Sequence, residues 1–456
     1  MATDKIVTPV LKLAIPIMFI QVCQASLGLA DTFVAGRYNV IDLAGIGLGS
    51  SLWTPVLTLI TGVLYALVPK ISASASTGRY TQMQQLFQHG KKITVILSTV
   101  GFILIQLLAF LCPLLIDDQQ VATVTRQYLH YIAFGMPGLI YMVLNRFFCE
   151  GNSCLKPVFL TTVVLSGINL LLNYGLVNGW GILPRLGGAG CGLATAISVT
   201  TGAVMIHVLA RRHIPFAFPV TPVTTNTHET KALFFEGLPV GISIVVEVLA
   251  LTLLAFFASS MGTAVIAAHQ IAINIALVVF MIPLALSSAA TIRVAHFSGH
   301  QQQDNTAKTS SAVFFLTMAY GILMAVMINW FISPIVTGFS HDPEVQRLLK
   351  TLLGYIALFQ FADAIMIVAS GILRGMQEFI KPLIATFAAY WIFILPLSYV
   401  VGVQGWWWHA PGIQVIWSLL IAGLTGAAII LVVQVRQKLR DPRTSSPQSE
   451  ELLKTE

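Results

Sequence analysis

Three carboxylic acids, Asp31, Glu247 and Asp363, stand inside long apolar stretches of a 456-residue chain in which 56% of residues are hydrophobic and only 9% are charged. An acid at the middle of a bilayer costs about 2.5–3.5 kcal/mol on insertion scales. Lipid offers nothing that offsets this, so each acid must face a protein interior or hold a cation. At about 1.5 Å of helix per residue, Glu247 lies roughly 21 Å from the outer end of its helix near Met261, and Asp363 roughly 20 Å from the outer end of its own near Lys350. The two therefore sit at one depth, close to the mid-plane, and can share one cation. Asp31 lies about 9 Å inside the outer end of the first helix, in the other half of the chain. Two neighbouring carboxylates in a low-dielectric interior do not both stay ionised and unpaired, so such a pair holds a proton or a hard cation. Sodium suits carboxylate, carbonyl and amide oxygens, and Asn274, Gln270 and Ser243 are placed to supply them. The plainer reading of any one of these acids is a protonated carboxyl that hydrogen-bonds across helices and fixes packing.

The elements that must position these residues are membrane spans. Mean hydropathy is +0.82, and stretches long enough to cross a hydrocarbon core of about 30 Å recur along the whole chain. The sequence predicts twelve, at 9–35, 44–69, 93–115, 127–148, 158–178, 189–210, 234–260, 264–291, 311–337, 349–373, 382–402 and 412–434. The first has no Ala-x-Ala site after a short apolar run and reads as a retained helix. With both termini placed in the cytoplasm, twenty of the 25 Lys and Arg residues fall on the inner side, a strong positive-inside bias. The formal charge of +7 thus reports topology and contact with anionic lipid. No basic patch with interleaved aromatics points to nucleic acid. The five cysteines show neither metal spacing nor a disulfide framework.

The chain carries an internal duplication. A shift of 223 residues places Pro16 on Pro239 and Gln24 on Glu247; a shift of 224 to 225 places the Glu150-Gly151 to Lys156-Pro157 stretch on Arg374-Gly375 to Lys381-Pro382. Six helices per repeat return each half to the side it started from, so the repeats are parallel. The expected organisation is an N-terminal lobe over 1–210, a polar cytoplasmic linker over 211–233, a C-terminal lobe over 234–435, and a disordered cytoplasmic tail over 436–456.

Other polar residues within the spans are weaker signals. Asn169 and Asn173 are one turn apart and share a helix face; helix–helix hydrogen bonding explains them as readily as a ligand does. Gln21 and Gln24 occupy the interior of the first helix. Glu150, beside Arg146 at a cytoplasmic helix end, reads as a structural ion pair or a gate, and His269 as a polar contact. Pro16, Pro239 and Pro396 are candidate helix bends.

Several motifs then combine: Asp31-Thr-x-x-Ala-Gly36, Cys149-Glu-Gly151, Gly192-Leu-Ala-Thr-Ala196, His269-Gln-Ile-Ala-x-Asn274, Thr291-Ile-Arg-Val294 and Ser370-Gly-Ile-Leu-Arg-Gly375. Together with twelve spans in two parallel lobes they resemble, nearly end to end, the multidrug and toxic compound extrusion (MATE) family, and its NorM-type branch in particular. The resemblance implies an all-α polytopic membrane protein with two pseudo-symmetric six-helix lobes in a V shape. It implies a transporter and no enzyme, which exports organic cations in exchange for Na+ or H+ by alternating access. It places the coupling cation at Glu247 and Asp363, with Asn274 and Gln270 nearby, and it gives Asp31, Asn169, Asn173 and Gln24 to proton coupling or drug contact, with bending at Pro16 or Pro239. It implies no cofactor beyond the coupling ion, a monomer, and a bacterial inner membrane. One departure is Phe359, where the NorM type carries a tyrosine near the cation. The rival reading is a lipid-linked oligosaccharide flippase of the same superfamily; it calls for cationic side chains in the cavity, whereas the Lys and Arg residues here stand at span ends. A polytopic membrane enzyme would need a cluster of His, Asp or Ser at the interface, and the ten histidines are scattered.

Overall fold

A computed structural model describes residues 4–181, 183–218, 226–405 and 412–440. The chain is built of helices: α1 (Asp4–Tyr38), α2 (Val40–Tyr65), α3 (Leu67–Ser76), α4 (Tyr80–Leu115), α5 (Gln119–Gly151), α6 (Lys156–Asn178), α7 (Ala189–His213), α8 (Thr227–Ser259), α9 (Thr263–Gly299), α10 (Gln303–Trp330), α11 (Ile332–Phe339), α12 (Pro343–Gly375), α13 (Ile380–Phe387), α14 (Leu395–Leu397) and α15 (Ile413–Arg440). Among the described residues, twelve stretches are long and apolar enough to cross a membrane, and each overlaps one of the expected spans. This is a multi-pass, all-helical membrane protein.

The ends differ from expectation for physical reasons. The third span begins thirteen residues early, at Tyr80, because the polar stretch before the apolar window is amphipathic: Met83 and Phe87 are one turn apart and both buried, which a 3.6-residue period allows. The ninth is interrupted at Phe331. Pro334 has no N–H to give the Trp330 carbonyl, and the helix restarts there. The stretch read as a linker shrinks from both sides. Arg211, Arg212 and His213 form the last turn of α7, and Thr227 onward belongs to α8. Residues 441–456 of the expected tail lie outside the described residues, while 436–440 continue α15.

The chain divides into two compact units, Ile15–Val245 and Met1–Ala14 with Val246–Glu456. In the first, α5 and α7 form a principal contact. Small residues allow the approach: Gly135 and Gly138 lie directly against Ala196 and Thr200, as membrane helices require when lipid supplies no hydrophobic drive. The first half of α8 also belongs to this unit. Its Gly237-Leu-Pro-Val-Gly241 segment meets α2 backbone to backbone: a methyl group at Gly237 would overlap the Val63 carbonyl, one at Gly241 the Leu59 carbonyl, and one at Gly62 the Gly241 backbone. Polar pairs close the same contact. Lys70 Nζ lies 2.6 Å from Glu236, and His89 contacts Thr230 Oγ1 at 2.7 Å and Glu229 at 2.9 Å.

In the second unit α12 packs along α9 and α15. Ser287 and Thr291 of α9 donate to the Ile367 and Gly371 carbonyls of α12 at 2.7 and 2.8 Å, which fixes α12 in rotation and depth. Asp342 caps α12 by accepting from Glu344 N at 2.8 Å, with Pro343 at the first position, where no N–H is needed. Around Pro396 the eleventh span widens into two π-helical stretches, Ala388–Ile394 and Ser398–Val403. The proline removes one i→i−4 bond, and wider turns take up the freed carbonyls.

After α12, Glu378 anchors the turn to α15. Burial alone would push its carboxyl up, but the ammonium groups of Lys438 at 2.8 Å and Lys381 at 3.4 Å outweigh that and hold it below the usual carboxylate range. A carboxylate held low adds stability that is present above its unfolded pKa and disappears as pH falls through its folded value. Glu378→Gln is therefore expected to lower the melting temperature at pH 7 and to match the parent at pH 3, with a cost below about 1 kcal/mol because the pair is partly solvated. An equal gap at both values would show that the ion pair is not its source.

Candidate functional site

In the first unit Asp31 meets Asn173 of α6 and Thr195 of α7. Asn173 Nδ2 donates to Asp31 Oδ1 at 2.6 Å, and Thr195 Oγ1 lies 3.4 Å from Oδ2. Asn169 completes the chain of contacts, since Asn173 Nδ2 also reaches its Oδ1 at 3.1 Å and its own Nδ2 donates to Thr195 at 3.1 Å. Asp31, Asn169 and Asn173 are all buried. Tyr128 of α5 stands within electrostatic reach of Asp31 and against Trp53. The structure thus joins the first-helix acid to the two asparagines. Thr195 is the member that sequence reasoning passed over. Its signal was a hydroxyl amid the small residues of Gly192-Leu-Ala-Thr-Ala.

Gln24 goes elsewhere. It accepts from Arg146 Nη1 at 2.5 Å, Gln21 accepts from Nη2 at 3.1 Å, and Glu150 accepts from Nε at 2.6 Å. Every nitrogen of this guanidinium has an acceptor, and the fork geometry of arginine suits such a set. Glu150 is 1% exposed and Arg146 12%, so the pair is a buried ion pair.

In the second unit Glu247 of α8 and Asp363 of α12 lie within electrostatic reach of each other. Arg374, one helix end away on α12, is within reach of Glu247. Asp363 is 3% exposed and its Oδ1 has no hydrogen-bond partner. Gln360, three residues earlier on the same face, is fully buried. Tyr390, from the π-helical stretch, stands within reach of both acids. Trp391 Nε1 donates to the Val246 carbonyl at 3.1 Å, which ties that stretch to the residue preceding Glu247.

The other residues expected here take different places. Gln270 and Asn274 on α9 are exposed, and Asn274 spends its amide on the Gln270 carbonyl at 2.8 Å. Phe359 packs edge-on against Trp417, centroids 5.6 Å apart, and brings no oxygen to the acids. Buried His269 accepts from Trp417 Nε1 at 3.2 Å, the polar contact its sequence position predicts. Pro239 lies inside continuous α8, between the two contact glycines, and Pro16 inside continuous α1. Among the described residues no group of three or more His, Cys, Asp or Glu side chains could hold a metal ion. The donors around Glu247 and Asp363 are carboxylate, amide and phenol oxygens, which fit a hard cation rather than a transition metal.

The MatE family model matches residues 16–175 and 239–400. The two matched segments are offset by 223 residues at their starts and 225 at their ends, the displacement of the internal duplication. The multidrug resistance protein MdtK of Proteus mirabilis (strain HI4320) is 31% identical over 434 residues, covering 93% of this chain and 94% of the relative. MdtK of Yersinia pseudotuberculosis serotype O:1b (strain IP 31758) is 31% identical over 444 residues and 95% of each chain. The crystal structure of the Vibrio cholerae MATE transporter VcmN in its bent form shares the fold with a TM-score of 0.84 at 18% identity, covering 96% of this chain and 98% of that one. Both halves match the family and the relatives align along almost the entire length, so the chain belongs to the MatE family.

Proposed function

We propose that this protein is a secondary active multidrug exporter of the bacterial inner membrane, which moves lipophilic organic cations outward in exchange for Na+ or H+ by alternating access. Family membership makes it a transporter, not an enzyme, and the MdtK relatives support multidrug efflux. The observation that carries the coupling is the Glu247–Asp363 pair: two acids from different helices in one low-dielectric volume, where a proton or a sodium ion relieves their repulsion. Asp31, whose two oxygens meet Asn173 and Thr195, offers a carboxyl group to a proton or to an organic cation in the other unit. An ion shifts the transporter between states only by binding one of them better, and neutralising buried acids supplies such a difference.

Cells expressing the protein are expected to export ethidium under an imposed sodium or pH gradient. Glu247→Gln and Asp363→Asn should reduce that export to the level of cells without the transporter, with the amount in the membrane unchanged. Normal export by both variants would remove the coupling role from this pair.

A further inference from the structure

The edge of the first unit where α4 meets the end of α7 concentrates positive charge. Lys91 and Lys92 stand on α4, Arg211 and Arg212 in the last turn of α7, and all four are exposed. Neither helix contains an acid, and the sequence from Ala189 to His228 adds none. Lys70, Arg146, Lys308, Lys381 and Lys438 each stand against a carboxylate; among the described residues Lys91, Arg211 and Arg212 do not. Glu229, the next acid in the sequence, is held by His89 at 2.9 Å, roughly 200° around α4 from Lys91. The cations converge on one groove. The one-turn segment Pro215–Ala217 packs on both α4 and α7. Phe218 behind it meets Phe87 of α4 and His207 of α7, with centroids 4.9 and 5.4 Å apart. The Arg211 guanidinium lies 5.9 Å from the same Phe218 ring, and Lys91 is one turn from Phe87. Lys91 and Arg211 are both within electrostatic reach of His207. His207 engages Tyr141 Oη at 2.9 Å and Asn145 Oδ1 at 3.1 Å through Nδ1, and among the described residues its Nε2 has no partner.

The same two helices fix the depth of this groove. Val95 and Ile96 lie one turn past Lys91 and Lys92, and Val204 and Val208 lead by single turns to Arg212; all four are exposed. On a membrane helix such side chains face acyl chains, so cations at the ends of these strips lie at the headgroup layer. We propose that this edge binds one anionic phospholipid, with its phosphate between Lys91 and Arg211 and its acyl chains on the apolar strips of α4 and α7. Like charges held side by side repel, and the surface of an anionic bilayer supplies the counter-charge. A free phosphate carries the same charge but leaves the valines bare, so the strips favour a lipid. The site is distinct from Asp31, Glu247 and Asp363 and holds whatever the protein transports.

The full-length protein, purified in non-ionic detergent and stripped of lipid, is given phosphatidylglycerol, phosphatidylcholine or glycerol 3-phosphate, with native mass spectrometry and thermal melting as readouts. The parent is expected to retain one phosphatidylglycerol and to melt higher with it, as a ligand of the folded state requires, and to gain little from the other two. Lys91→Gln with Arg211→Gln is expected to need about tenfold or more phosphatidylglycerol for the same occupancy. Arg436→Gln with Arg440→Gln removes the same charge from exposed positions at the end of α15 and is expected to keep the parent affinity. The swap Lys91→Arg with Arg211→Lys conserves charge and should bind like the parent, and melting in detergent alone shows that each variant is folded; where the double glutamine variant is not, Lys91→Gln alone reads the same loss. Equal losses in the two glutamine pairs would show that lipid follows net charge and not this edge, and that result overturns the assignment. Equal affinity for phosphatidylcholine also overturns it. Stabilisation by glycerol 3-phosphate at the same concentration as the lipid would make the groove a free-phosphate site and remove the lipid.

Discussion

Gly62→Ala is expected to destabilise the protein strongly, whereas Gly47→Ala, on the same helix α2, is expected to be neutral or stabilising. Helix propensity alone favours both changes, by roughly 0.5–1 kcal/mol each. Packing separates them. Nothing lies within 4 Å of a methyl group placed at Gly47. At Gly62 that methyl enters the backbone of Gly241 on α8. A side chain in the way can rotate aside, but a backbone cannot, so the two helices must move apart. The Gly237 and Gly241 contacts with Val63 and Leu59 then open together. Overpacking of this kind costs about 1–3 kcal/mol, and more where the strain spreads. Thermal melting of detergent-solubilised protein, followed by size-exclusion chromatography, reads both variants directly. Equal melting temperatures would mean that α8 does not lie on α2 at this distance.

The second large effect concerns Arg146. Arg146→Met leaves Glu150, 1% exposed, without its cation and leaves Gln21 and Gln24 without their donor. Breaking a buried ion pair from one side costs about 3–5 kcal/mol, while replacing both partners by apolar groups is often close to neutral. The double variant Arg146→Met with Glu150→Met is therefore expected to be more stable than Arg146→Met alone. A double-mutant cycle measured by thermal or denaturant unfolding should give a coupling of roughly 1–3 kcal/mol. Additive losses would show that the two charges do not depend on each other, contrary to the 2.6 Å contact.

What the sequence showed, and what it hid, follows from which physical signal each residue carries. The twelve spans were legible because burial in lipid demands long apolar runs, and the duplication was legible because prolines and glycines punctuate both halves. The pairing of Glu247 with Asp363 came from depth alone, since rise per residue is the one coordinate that a helix sequence fixes. Position around the helix is fixed only by neighbours. Gln24 was therefore grouped with Asp31, although Arg146 claims it. Arg146 and Arg374 stand at span ends in the sequence, yet both fold inward and are largely buried. Tyr390 was hidden most deeply. It is presented by a π-helical turn, and a pattern of 3.6 residues per turn assigns such a residue to the wrong face. Gln360 was in plain view one turn from Asp363, where a buried amide in an otherwise apolar segment is itself a signal.

The membership of α8 in both compact units has a consequence for biosynthesis. The polypeptide emerges in order, and the sixth span ends at His213. When that span leaves the ribosome, Gly62, Lys70 and His89 still lack the segment that covers them, because Thr227–Val245 has not been made. The evolutionary repeat and the folding unit are therefore offset by about five turns of helix. A gene cut between the repeats, after α7, would yield a first fragment with an uncovered glycine face and two unmatched polar positions, and a second fragment in which the first half of α8 has lost the helices it packs against, while its second half keeps the Trp391 contact.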